Sequence, residues 1–150
     1  METKQFNITI NAPREKVWDT LWSDATYREW TTPFFEGSYA VTDWQTGSKV
    51  LFLGPDGSGM VSTITENRPN EFMGITHLGT VKDGIETLNK EWKNAFENYT
   101  LNDSNGKTEL RVDLNMSMVP QNFIDFMLST FPKALDKVKE IAEREVLSKV

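Results

Sequence analysis

The last fifth of the chain, residues 120–150, reads PQNFIDFMLSTFPKALDKVKEIAEREVLSKV and carries the longest helical pattern in the sequence. Its apolar residues recur at steps of three and four, the spacing that places side chains on one face of a helix. These residues are Phe123, Ile124, Met127, Leu128, Phe131, Leu135, Val138, Ile141, Ala142 and Val146. The pattern predicts a long amphipathic helix that must lie on a broad apolar surface, which the rest of the chain has to supply as a sheet.

Pro132 interrupts this pattern. It lacks the N–H that would bond to the carbonyl of Leu128, and its ring disfavours helical geometry at Phe131. Two alternatives remain open: one long helix that kinks at Pro132, or a short helix followed by a second that begins with Pro132 in its first turn. A kink would bend the helix away from its support and leave room beneath it.

Composition limits the class of protein. A length of 150 residues predicts one domain, and the net charge of −6 argues against a nucleic-acid partner, whose phosphates would be repelled. No apolar run approaches the roughly 20 residues of a membrane span, and no signal peptide is visible. The chain has no cysteine, so disulfides and thiolate chemistry are excluded and a cytoplasmic location is predicted.

The start of the chain predicts one strand and two short helices. Residues 5–11 alternate between polar and apolar side chains, which indicates a half-buried strand. Pro13 then suits the first turn of a helix. The apolar side chains that follow it at helical spacing are Val17, Trp18, Leu21 and Trp22. Ser23 and Asp24 indicate a new start, and so a second short helix that reaches Trp30.

From Phe34 onward the pattern changes to a period of two with turn residues between the segments. The predicted strands are residues 37–43, 49–53, 60–66, 71–78, 92–101 and 109–118. Short turns join them, among them Asn105-Gly106, which favours type I′ geometry, so we expect an antiparallel meander. The stretch 79–91 is predicted to be a long loop or an extended hairpin tip. Together with the first strand, this gives an α+β plan with the helices on one face of the sheet.

The residues that open this plan resemble a known superfamily. The segment ITINAPREKVW (residues 8–18), then Trp30, a strand meander and a C-terminal amphipathic helix are similar to the START-like, or SRPBCC, superfamily, which shares the helix-grip fold of the birch pollen allergen. Within it, the chain most resembles bacterial homologues of the C-terminal domain of the activator of heat-shock protein 90 ATPase. The resemblance covers residues 1–150 as a single domain. It implies a curved antiparallel sheet of about seven strands wrapped around the long C-terminal helix, with two short helices after the first strand.

The resemblance implies three kinds of function, because one fold serves several purposes. The first is non-enzymatic binding of a small hydrophobic or amphipathic molecule in a cavity between the sheet and the C-terminal helix. The second is a cochaperone-like interaction module with a chaperone as its partner. The third, which we place last, is an enzyme of the polyketide cyclase or aromatase kind, which acts partly by shaping and desolvating its substrate. The oligomeric state stays open.

Polar chemistry in the sequence is sparse. His77 is the only histidine, so a metal site would need several carboxylates at suitable spacing, and none is visible. We find no nucleophile with a base, no phosphate-binding loop and no sign of a cofactor. Glu97 alternates with Tyr99, so the two side chains are expected to share a face. We therefore predict that His77 and Glu97 lie on neighbouring strands and together orient a ligand's hydroxyl, carbonyl or carboxylate, the alternative being that both point outward.

Large apolar side chains are plentiful, and although most are expected in the core, the surplus favours a roomy pocket. We predict that this pocket lies between the helix around Pro132 and the concave face of the sheet. The residues predicted to bind the ligand are Phe123, Met127 and Phe131 from the helix, Phe34, Phe52, Met60 and Tyr99 from strands and loops, and His77 and Glu97 as polar groups.

Overall fold

The computed structural model describes residues 3–89, 95–115 and 120–148. These ranges contain eight strands and three helices. In chain order the elements are β1 (Lys4–Ile10), α1 (Arg14–Trp22), α2 (Asp24–Trp30), β2 (Tyr39–Val41), β3 (Lys49–Leu53), β4 (Gly59–Arg68), β5 (Phe72–Lys82), β6 (Ile85–Leu88), β7 (Phe96–Ser104), β8 (Lys107–Asn115) and α3 (Gln121–Ser148).

All eight strands form one curved antiparallel sheet, in the order β1-β8-β7-β5-β4-β3-β2, with β6 paired to β5. Strand alternation builds it: in β8, Leu110, Val112 and Leu114 are buried while Glu109 and Arg111 face solvent. Helix α3 packs against α1, α2 and β1. The predicted α+β helix-grip fold is therefore confirmed, including the two short helices after the first strand.

The described residues form eight strands rather than about seven because residues 79–88 form an extended hairpin, which was one of the two alternatives for the stretch 79–91. Strand β5 continues to Lys82, and Asp83 and Gly84 turn the chain directly into β6. Both turn residues have positive φ, 53° and 78°, as a two-residue hairpin turn requires. Elsewhere the predicted strands match observed ones, although residues 92–94 and 116–118 of two predicted strands lie outside the described residues.

Strand β5 changes face in its middle. Ser62 of β4 pairs with His77, whereas its neighbour Val61 pairs with Gly79, so Leu78 is one extra residue in β5. This β-bulge shifts the alternation by one position. As a result His77 points into the core and Thr80, three residues later, also lies on the concave side, where it lines a cavity.

Helix α3 is continuous through Pro132, so the alternative of two successive helices is wrong. Phe131 is buried and Pro132 is exposed, so the ring of the proline faces away from the sheet. After Pro132 the predicted stripe is buried throughout its described positions: Leu135, Val138, Ile141 and Ala142. None of the described helices combines the length and the apolar character that a membrane span requires.

The two short helices brace the other end of the sheet. In α1, Val17 and Leu21 are buried, as their helical spacing predicts. The indole Nε1 of Trp30 in α2 donates a hydrogen bond to the carbonyl of Leu21 at 3.0 Å. This bond ties α2 to α1 inside the core and fixes the position of the chain that leads to residue 38.

Candidate functional site

A cavity of about 740 Å³ lies between the first half of α3 and the concave face of the sheet. Its other walls come from α2, the connection from α2 to β2, and the hairpin of β3 and β4. The predicted position between sheet and helix is therefore where the structure has a cavity.

Aromatic side chains form the helix side of the cavity. Phe131 of α3 lies with its ring centroid 5.1 Å from that of Phe34, and the two rings meet edge to face. Phe123 and Met127 continue the same wall toward the start of α3. Because these three residues are each four positions apart, the amphipathic stripe of α3 supplies this surface.

The β3–β4 hairpin forms the opposite wall. Phe52 and Met60 are directly paired across its two strands and both line the cavity. The turn between them carries Asp56, which is exposed, as are Phe35 and Asn122 of the neighbouring segments. These exposed lining residues mark the mouth.

One carboxylate and two phenols form the floor of the cavity. Glu97 and Tyr99 reach it from β7, and Tyr27 reaches it from α2. The Glu97 side chain is 13% exposed. Tyr99 is fully buried in the core cluster, with its ring 4.9 Å from that of Trp22 and edge-on to it.

A hydrogen-bonded chain holds Glu97 from behind. His77 Nε2 lies 3.2 Å from Glu97 Oε1, and His77 Nδ1 lies 2.7 Å from Ser62 Oγ. The hydroxyl of Tyr99 donates to the other carboxylate oxygen, Oε2. Every donor has an acceptor when Ser62 donates to Nδ1 and the proton of a neutral His77 sits on Nε2. The carboxylate is thereby fixed in place by two donors.

Both phenols near this carboxylate stay protonated. Burial raises the pKa of Tyr99 well above its ordinary value, and the charge of Glu97 and its hydrogen bond raise it further. Burial, followed by the charge of Glu97, also raises the pKa of Tyr27. The floor of the cavity thus combines one carboxylate with phenolic hydroxyls that act as donors at neutral pH.

The order Ser62–His77–Glu97 has the connectivity of a catalytic triad but the opposite exposure. Ser62 and His77 are both fully buried, and the carboxylate is the member that lies on the cavity wall. A nucleophile has to reach the substrate, so Ser62 in this position cannot serve as one. Among the described residues no group of three or more His, Cys, Asp or Glu side chains is gathered as metal ligands would be.

Eight of the nine residues predicted to bind a ligand lie on the cavity wall: Phe34, Phe52, Met60, Glu97, Tyr99, Phe123, Met127 and Phe131. The ninth, His77, is fully buried rather than on the wall. Its ring is enclosed by its partners Ser62 and Glu97 and by the ring of Phe52, whose centroid is 6.1 Å away. The structure brings His77 and Glu97 together on one inward face, with Thr76 and Phe96 paired beside them.

Sequence analysis missed Tyr27, Trp30 and Ser62. Tyr27 and Trp30 are three positions apart on α2, a spacing that predicts one shared helical face. The hydroxyl of Tyr27 is the polar group on that face. Ser62 stands between Met60 and Ile64 on the inward face of β4, where a lone polar residue needs a partner. That partner is His77.

Comparison with known proteins adds a family match. A family model described as "Activator of Hsp90 ATPase homolog 1-like protein" matches residues 11–143. No curated protein sequence matches the chain.

Solved structures resemble the chain over nearly its whole length at low identity. The Aha1 dimer from Colwellia psychrerythraea has a TM-score of 0.76 at 18% identity, covering 95% of this chain and 97% of that one. Protein MLL2253 from Mesorhizobium loti has a TM-score of 0.73 at 16% identity, with coverage of 95% and 98%. CalU16 from Micromonospora echinospora has a TM-score of 0.66 at 14% identity, with coverage of 97% and 79%. At these identities the likeness concerns the fold.

Proposed function

The chain belongs to the family of Activator of Hsp90 ATPase homolog 1-like proteins, and from that premise we propose that it binds a small hydrophobic or amphipathic molecule without transforming it. The binding site is the cavity between the sheet and α3.

The observation that carries this proposal is a cavity with a large apolar wall and a small, organised polar floor. Its volume of about 740 Å³ falls within the range of roughly 300–1,000 Å³ that is usual for small-molecule sites. Rings from α2, α3 and the β3–β4 hairpin supply apolar contact area. On the floor, the carboxylate of Glu97 is held by His77 and Tyr99, which gives a ligand one defined polar anchor.

The arrangement favours binding over covalent chemistry. A carboxylate that faces an apolar cavity is costly unless it is hydrogen-bonded, and here two protein donors meet that need before any ligand arrives. Such a preorganised acceptor orients a bound molecule at little further cost in ordering. The aromatic wall would provide most of the affinity through burial of ligand surface.

Binding of a neutral apolar dye tests the proposal. Nile red is expected to bind the wild-type protein with enhanced fluorescence, and a Met127→Trp variant that stays folded is expected to lose most of this binding, because the larger side chain fills the cavity. Leu128→Trp is the matched control: it lies on the same helix outside the cavity wall and is expected to keep the binding. Equal dye affinity in wild type and Met127→Trp would refute the site.

The family description favours a second candidate, an interaction with a chaperone. Native mass spectrometry of the protein purified from its own host separates the two. A small molecule that co-purifies supports the binding proposal, whereas a stoichiometric complex with a chaperone supports the second candidate.

A further inference from the structure

We propose that the cavity selects neutral or cationic molecules that donate a hydrogen bond to Glu97, and that it rejects ligands whose polar end is a carboxylate or a phosphate. This inference rests on the proposed binding function and names the ligand class.

The charges on the cavity wall all have one sign. Asp56 at the mouth and Glu97 on the floor are the charged side chains among the described lining residues, and none of those residues is Lys, Arg or His. An anionic ligand therefore meets two carboxylates and no described cation. The Glu97 side chain is only 13% exposed, so its repulsion of an anion is screened less than at a surface.

Glu97 has acceptor capacity left for a ligand. An ionised carboxylate offers about four lone-pair positions, and the described hydrogen bonds use one at Oε1, from His77, and one at Oε2, from Tyr99. His77 and Tyr99 both donate to Glu97, so the lone-pair positions of Glu97 that they leave free can still accept. Because Glu97 lines the cavity and its side chain keeps 13% of its exposure, the donor that fits there is an amine or a hydroxyl of the ligand.

A hydroxyl finds a second partner on the same floor. Tyr27 lines the cavity, and its phenol stays protonated at neutral pH, so it can donate to a ligand oxygen. A carboxylate ligand could use that donor as well, but it would have to share the floor with the charge of Glu97. If such a ligand bound in the opposite orientation, its apolar end would lie against Glu97. It would then cover the remaining exposed surface of an ionised group, which is unfavourable.

The experiment compares three ligands that share one ring system: naphthylmethylamine, naphthylmethanol and naphthoate. Their dissociation constants for the wild-type protein are measured by calorimetry or by displacement of Nile red at neutral pH. We expect the amine and the alcohol to bind at least about tenfold more tightly than naphthoate, since a hydrogen bond to a charged group contributes that much to the affinity.

Two variants assign the selectivity to its residue. Glu97→Gln keeps the shape and removes the charge, so the amine is expected to lose about tenfold in affinity while naphthoate gains. Asp56→Asn is the matched control at the mouth, and the exposure of Asp56 to solvent predicts a change of less than about threefold. If Glu97→Gln does not fold, the comparison of the three ligands on the wild type decides alone.

The outcomes separate this inference from the proposed function. If Nile red and the amine bind and naphthoate binds as tightly as the amine, the ligand class is wrong and the cavity still stands. If neither Nile red nor any of the three naphthyl compounds binds, the proposed function itself fails.

Discussion

The imidazole of His77 lies 3.2 Å from the carboxylate of Glu97, so a fully buried side chain supports one that lines the cavity. His77 stands within β5, and Glu97 projects from the neighbouring strand β7. Because both residues belong to strands of one sheet, their contact holds the Glu97 carboxylate in place at the floor of the cavity. Substitutions of His77 are therefore expected to alter the position of Glu97 on the cavity wall.

The first prediction concerns the tautomer of His77. We expect Nε2 to carry the proton that Glu97 accepts, while Nδ1 accepts from Ser62. Nitrogen chemical shifts of the imidazole report this directly, and the single histidine of the chain makes the assignment unambiguous. A proton on Nδ1 with Nε2 unprotonated would contradict the prediction.

The second prediction concerns Ser62. Replacing it with alanine leaves Nδ1 of the buried His77 without its described partner, and we expect the free energy of unfolding to fall by about 1–3 kcal/mol. Urea denaturation measures the change. Ser129→Ala is the control, because that exposed hydroxyl bonds only its own helix, and its effect should stay within about 0.5 kcal/mol. Equal effects of the two substitutions would show that the buried network does not contribute to stability.

The third prediction compares two glycines that both line the cavity. A Cβ on Gly59 would lie 1.8 Å from the carbonyl oxygen of Phe52 on the paired strand, whereas a Cβ on Gly54 would have its nearest neighbours at 3.7 Å. Gly59→Ala is therefore expected to cost about 1–3 kcal/mol and to weaken dye binding by displacing Phe52 and Met60.

Gly54→Ala is expected to leave both properties nearly unchanged. Thermal unfolding and titration with Nile red check the two variants side by side. Similar behaviour of both would mean that the hairpin adjusts freely and does not form a rigid wall.

The fourth prediction concerns the acid stability of the contact between α3 and the start of the chain. Burial tends to raise the pKa of Glu143, but hydrogen bonds from Lys139 and from the backbone N–H of Asn11, with the charges of Lys139 and Lys107, lower it below its ordinary value of 4.5. A lowered pKa in the folded state stabilises the protein above pH 4.5, and this contribution is lost as the pH falls through the lowered value.

Glu143→Gln is accordingly expected to be less stable than wild type by about 1 kcal/mol or less at neutral pH, with the difference disappearing in acid. Unfolding free energies across this pH range measure it. The exposed Glu140 on the same helix provides the control, and Glu140→Gln should change little at any pH. A difference for Glu143→Gln that grows on acidification would reverse the predicted sign.

The sequence was informative wherever a pattern repeats over several residues. The stripe of α3 from Phe123 to Ala142 and the alternation in β8 each span many turns or pairs, so a single exception does not obscure them. These patterns predicted the α+β plan and the position of eight cavity residues, whose role in ligand binding stays a prediction. The helix-grip fold itself was implied by the resemblance of residues 8–18 and Trp30 to a known superfamily.

The features that the sequence did not predict depend on single residues or on long-range packing. The bulge at Leu78 changes the face of β5, and nothing in the residue type of leucine announces it. The choice between a loop and a hairpin for residues 79–91 stayed open because the residues of β6 are exposed and lack an apolar side, although Asp83-Gly84 is a turn signal. Tyr27 was overlooked since its role depends on how α2 meets the sheet, which is a matter of long-range packing.

Helix α3 has a different structural role before and after Pro132. The residues before Pro132 form a wall of the cavity, and those after it are packed into the core against α1 and β1. Met127 and Phe131 also belong to the buried core, whereas Phe123 is only partly buried against it. A substitution at Phe123 is therefore expected to alter the cavity with little effect on stability, while substitutions beyond the proline are expected to affect stability first. Exchanging the three turns before the proline would reshape the cavity while leaving the rest of the helix unchanged, which makes the chain a practical scaffold for redesigned receptors.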